Sequence, residues 1–185
     1  DEEIARGIAH YQTVGDRARV LHTPKLTIVS DCYNANPSST AAAIESLRLL
    51  DGRKVCVLGD MLELGENTAA LHRQVGERAA QAGVELVLCT GELSRSICEG
   101  ARSAGGTALW FPDKDALISA LPETIRMGDC ILVKASHSMA FEDVTKALLE
   151  LPQPPTCIIF PDDFSALGGY NAISEKGLSI PEDIS

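Results

Sequence analysis

The chain has 185 residues, a formal net charge of −10 and 45% hydrophobic residues, enough for one domain with a sizeable core. Acidity without a basic stripe argues against nucleic acid as the main partner, and no apolar run is long enough to cross a membrane. Six scattered cysteines, at 32, 56, 89, 98, 130 and 157, form no Cys-x-x-Cys pair, and no secretion signal is visible. That pattern fits a reducing cytoplasm better than a disulfide frame or a zinc site, so no metal site is expected.

Acids at Asp1, Glu2 and Glu3 suit the positive end of a helix over 1–10. A short strand is expected at 17–22 and a β-branched one at 26–30. An amphipathic helix follows at 38–50, stopped by Asp51-Gly52. Strand and helix then alternate: strands at 54–58, 85–90, 107–111 and 129–134, helices at 68–82, 92–104, 114–121 and 139–149. Such alternation implies a three-layer α/β fold, with a mostly parallel, Rossmann-like sheet covered on both faces. Three prolines in 152–155 mark a junction at 151–155. One more βα unit is appended, with a strand at 156–160 and a helix at 164–176.

In an open α/β sheet, ligands bind outside the carboxyl ends of the strands. Three such ends carry chemistry. Asp31 opens a polar loop with Asn34 and Asn36, although Asp, Asn and Pro also favour turns for backbone reasons alone. Asp60 and Glu63 lie in Gly59-Asp60-Met61-Leu62-Glu63-Leu64-Gly65. Lys134, Ser136 and Ser138 follow the strand at 129–134. Parallel strands are expected to gather these loops along one edge. His72 reads as a helix histidine hydrogen-bonded near the core.

Four motifs in order closely resemble the C-terminal domain of the Mur ligases, specifically those that add D-alanyl-D-alanine to UDP-N-acetylmuramoyl-tripeptide. They are Gly15-Asp16-Arg17, Asp31-Cys32-Tyr33-Asn34-Ala35-Asn36-Pro37, Leu58-Gly59-Asp60-Met61-Leu62-Glu63-Leu64-Gly65 and Leu132-Val133-Lys134-Ala135-Ser136-His137-Ser138-Met139. The resemblance covers about residues 1–150. It implies a part in making the peptide stem of peptidoglycan, through an acyl phosphate formed with ATP. By that resemblance Arg17 reaches the ATP phosphates and Asp31 holds the ribose. Asn34, Asn36, Asp60 and Glu63 line the cleft toward a central domain, and Lys134, Ser136 and Ser138 meet the incoming dipeptide. Ala135 and His137 stand where the family usually has Gly and Arg, which removes a fixed charge from that loop.

No Gly-x-x-x-x-Gly-Lys-Ser/Thr phosphate loop occurs. The resemblance puts that loop in a central domain and the UDP-sugar site in an N-terminal domain, both missing partners here. The expectation is an incomplete enzyme, inactive alone, with no complete catalytic set. ATP and Mg belong to the full-length family enzyme and neither is expected to bind tightly to this chain. Residues 156–185 resemble a fragment of LacI-type repressors and periplasmic sugar-binding proteins. The appended strand is expected to extend the sheet, or to pair with a second chain in a swapped dimer. A chimeric scaffold without activity is the alternative reading, and a sugar-binding module a third.

Overall fold

The computed structural model describes residues 19–22, 27–30, 35–126, 128–151, 157–159 and 163–179. The expected helix at 1–10, Arg17, Asp31, Asn34, Cys32 and the prolines at 152–155 lie outside the described residues. Strands β1 (Arg19–His22) and β2 (Thr27–Ser30) precede helix α1 (Pro37–Arg48) and strand β3 (Arg53–Leu58). Then come α2 (Thr68–Gln81), β4 (Leu86–Thr90), α3 (Arg95–Ser103), β5 (Ala108–Phe111) and α4 (Lys114–Thr124). Strand β6 (Asp129–Lys134), α5 (Glu142–Leu149), β7 (Cys157–Ile159) and α6 (Asp163–Glu175) complete the chain.

Five strands form a sheet in the order β5-β4-β3-β6-β7, and every pairing in it is parallel. The strands are apolar on both faces because helices cover both. Cys56, Leu58, Val87, Cys89, Cys130 and Leu132 point into one core, closed by Ile44 and Leu47 of α1, Val75 of α2 and Ile97 of α3. Val55, Val57, Leu88, Ile131 and Val133 point into the other, closed by Leu117 and Leu121 of α4, Val144 and Leu148 of α5 and Ile173 of α6. This is the three-layer α/β arrangement that the alternation implies. Cys56, Cys89, Cys98 and Cys130 are free and buried, and burial pushes the Cys56 and Cys89 thiols well above the ordinary range.

β2, α4 and the helix after β6 differ from the sequence reading. β2 is not a strand of the parallel sheet; it pairs antiparallel with β1, Val20 opposite Val29. Neighbouring strands with a short connection close at low entropic cost, while both neighbours of β3 are already taken by β4 and β6. α4 continues to Thr124 with Pro122 inside its last turn. The expected helix at 139–149 is broken: a 3-10 turn at His137–Met139 leads to Ala140 in the left-handed region (φ 49°), and α5 starts only at Glu142.

β7 lies parallel to β6, Ile131 opposite Ile158, and α6 packs beside α5. Ala172 and Ile173 of α6 are each 2% exposed, and Leu178 packs onto the same core.

Candidate functional site at the strand switch point

The chain leaves β3 toward β4 and β5 on one side and adds β6 and β7 on the other. The carboxyl ends of β3 and β6 are therefore the point where the winding reverses, which is where an open α/β sheet leaves a crevice for a ligand. Here the crevice floor is closed by main chain. Gly59 N–H donates to the Lys134 carbonyl and Ser136 N–H to the Asp60 carbonyl, both at 2.9 Å. Leu62 N–H then donates to Ser136 Oγ at 2.9 Å. The β3–β6 ladder thus runs on beyond its strands and binds the two motif loops into one rim. Gly59 makes this possible. A Cβ there would lie 2.7 Å from both Ala135 Cβ and Met139 Sδ.

The first loop is also fixed from below. Buried His72 on α2 accepts the Met61 N–H at Nε2 (2.9 Å), and its Nδ1 lies 2.7 Å from the Thr68 carbonyl. An acceptor at Nε2 and a donor at Nδ1 define a neutral imidazole. His72 is the buried, hydrogen-bonded helix histidine expected, and it latches the loop. At the loop tip Glu63 is exposed with φ 62°, a left-handed backbone in a residue with a side chain. Such a conformation costs about 1–3 kcal/mol and persists because the surrounding bonds over-determine it.

Asp60 is tied sideways. Its Oδ1 accepts the Ser94 N–H at 2.7 Å, at the start of α3, where a carboxylate also meets the positive end of the helix dipole. The close approach depends on Gly91, which has φ 111° and whose Cβ would lie 2.3 Å from Asp60 Oδ1. Gly91→Ala should therefore destabilise the chain by about 2–3 kcal/mol, from backbone strain plus the lost charge-assisted bond. Urea unfolding reads this directly. A variant within the error of wild type would show that the contact bears no load. Ser94 and Gly91 escaped the sequence reading, although Thr90-Gly91 is a third strand end on the same edge.

Asn36 has a local duty. Its Oδ1 accepts from Ser39 N–H (2.9 Å) and Ser38 Oγ–H (2.7 Å), and Ser39 Oγ lies 3.3 Å from Asn36 N–H. This is a capping box at the start of α1. The cap stands beside the rim, because Ala35 joins the core of Leu58 and Met61 and Thr40 Oγ1–H points to Met61 Sδ (3.6 Å). Residues 35–40, 59–65 and 134–138 therefore meet at one edge.

Within the last loop Lys134 (3% exposed) and Ser136 (6%) are buried, while His137 and Ser138 are exposed. Ser136 Oγ accepts from Leu62, which leaves its own proton to donate to an anionic oxygen. Exposed Arg95, stacked 5.1 Å from the Trp110 ring, extends the rim toward β5, and the indole N–H is held by the Gly91 carbonyl at 2.8 Å. Among the described residues no three His, Cys, Asp or Glu side chains converge to hold a metal ion. None of the described helices is long and apolar enough to cross a membrane. A cavity of about 300 Å³ lies in the groove between α1 and α2, lined by Pro37, Ala41, Gln74 and Arg78, and borders the rim at Pro37.

The Mur ligase glutamate ligase domain matches residues 16–137. The UDP-N-acetylmuramoyl-tripeptide–D-alanyl-D-alanine ligase of Bacillus subtilis strain 168 is 35% identical over 156 residues, 82% of this chain and 34% of that protein. A crystal structure of MurF from Acinetobacter baumannii superposes with a TM-score of 0.61 at 25% identity, over 80% of this chain and 34% of that one. MurF ligase from Thermotoga maritima in complex with ADP gives 0.54 at 28%, over 75% and 31%. The chain spans about a third of the length of these curated and solved relatives.

Proposed function

We propose, from the premise that this chain belongs to the Mur ligase family through its glutamate ligase domain, that its rim meets ATP and D-alanyl-D-alanine within a MurF-type ligase. The observation that carries this reading is the bond from Leu62 N–H to Ser136 Oγ at the switch point, which joins the two motif loops into one surface. Ser136 and Ser138 offer hydroxyl donors for the dipeptide carboxylate, and Lys134 adds positive charge behind them. Asp60 orients its loop rather than reaching outward, because its carboxylate is engaged by Ser94. Glu63 at the exposed tip faces outward, toward a central domain. By the family resemblance Arg17, Asp31 and Asn34 serve the nucleotide, while Asn36 caps α1.

ATP supplies the phosphoryl group that activates the carboxyl substrate, and the phosphate-cradling loop for it belongs to the central domain. This chain therefore works with the N-terminal and central ligase domains, in the cytoplasm where nucleotide-linked precursors are made, and does not turn over alone. The second reading is a non-enzymatic chimeric scaffold, in which the ligase-like and LacI-like pieces supply structure only.

Calorimetric titration of the whole chain with ATP, with D-alanyl-D-alanine and with a sugar panel separates these readings. Weak, saturable dipeptide or ATP binding without ATP hydrolysis is the expected result. Binding of neither supports the scaffold reading, and sugar binding alone would assign the function to the tail. Turnover by the purified chain, abolished in Asp31→Ala, would overturn the incomplete-enzyme reading.

A further inference from the structure

The loop expected to meet the dipeptide is held by a residue that no motif contains. Lys114 opens α4, three residues after the end of β5, and its side chain is 26% exposed. Its ammonium donates to the Ala140 carbonyl at 2.9 Å, to the Met139 carbonyl at 3.3 Å and to the Asp143 carboxylate. These are three acceptors for the three protons of one ammonium. They lie at the far end of the loop after β6, where Ala140 holds a left-handed φ of 49°.

That end of the loop is mechanically connected to the rest of the rim. The Asp60 N–H points to Met139 Sδ. Ser136 N–H in the same loop donates to the Asp60 carbonyl. Asp60 Oδ1 in turn holds Ser94. A single line of contacts thus runs from Lys114 through residue 139 to Asp60 and Ser94, joining segments that follow β5, β6, β3 and β4.

We infer that Lys114 is a positioning residue: it fixes residues 134–140 so that Ser136 and Ser138 present their hydroxyls to a carboxylate ligand. The ammonium touches no ligand itself. Its part is to hydrogen-bond the two carbonyls and neutralise the Asp143 charge that the left-handed turn at Ala140 brings together, so that this turn is the preferred state of the loop. The inference rests on the proposal that this loop meets the dipeptide.

The test compares the whole chain with Lys114→Met and Lys114→Arg by amide hydrogen exchange and by titration with D-alanyl-D-alanine. Lys114→Met should speed exchange at Leu62, Ser136 and Ala140 while leaving Cys56 and Leu88 in the sheet unchanged. Dipeptide affinity should fall about tenfold, the equivalent of one charge-assisted hydrogen bond. Lys114→Arg keeps a cation with several donors and should restore part of both. If the wild type binds the dipeptide and Lys114→Met binds it equally well, the inference is wrong and the proposed function stands. If the wild type does not bind the dipeptide, the dipeptide part of the proposed function fails, and unchanged exchange in Lys114→Met would end the positioning role as well.

Discussion

Gly76→Ala should lower the melting temperature by about 10 °C, corresponding to a loss of about 3 kcal/mol. α2 and α3 lie together on one face of the sheet and cross backbone to backbone. A Cβ on Gly76 would lie 1.9 Å from the Ile97 carbonyl oxygen and 2.7 Å from Ala101 N. The contact is reciprocal, since a Cβ on Gly100 would lie 2.0 Å from the Arg73 carbonyl oxygen. Backbone cannot step aside as a flexible side chain can, so the helices must separate and the core of Val75, Ile97 and Ala101 opens with them. Gly83→Ala is the control. Nothing lies within 4 Å of its Cβ position, and only the left-handed φ of 79° is strained. Thermal melts of the two variants should differ by several degrees, with Gly76→Ala the lower. Equal melting temperatures would show that the helices have room to spare.

Deleting residues 152–185 should have an effect of similar size. The deletion strips β7 from β6 and exposes the groups against which Ala172, Ile173 and Leu178 pack. Burial of one large aliphatic side chain contributes about 1.5–3 kcal/mol, so a fall in melting temperature of about 10 °C is expected once the strand pairing is lost as well. The bared edge of β6 has free main-chain donors and acceptors, which invites pairing with another molecule. Calorimetry and size-exclusion chromatography read the two effects separately. A truncated chain that melts with the intact one and stays monomeric would mean that the tail is no part of the core.

The fold was legible where a residue pattern had one physical reading. Val55-Cys56-Val57-Leu58 and Cys130-Ile131-Leu132-Val133 are short apolar runs that only a strand covered on both sides accommodates, and they occupy β3 and β6. The run at 26–30 was also read as a strand, yet β2 pairs with β1. Composition reports burial but says nothing about which neighbour is nearest along the chain. The break at Ala140 was hidden because alanine is the best helix former, and here tertiary bonds override its propensity. The site was legible as loops and motifs but not as roles. Asn36 and His72 looked like ligands or core residues from type alone, and geometry gives both to the backbone, as cap and latch. Lys114 carried no signal, because its function depends on two carbonyls that no sequence displays.

The strand order also sets a timetable. Val55 pairs on one side with Leu86, a single helix away, and on the other with Ile131. The latter side includes Arg53 and Asp129, 76 residues apart and joined by a bidentate ion pair at 2.8 and 2.6 Å. Closing the longer loop costs about 1 kcal/mol more in chain entropy, and it must wait until two further βα units exist. The half made of β3, β4 and β5 can therefore nucleate while the ribosome is still adding the rest, and β6 docks onto a finished edge. The switch-point rim needs both halves. It comes into being only when β6 docks, so a chain stalled before β6 has no site at all.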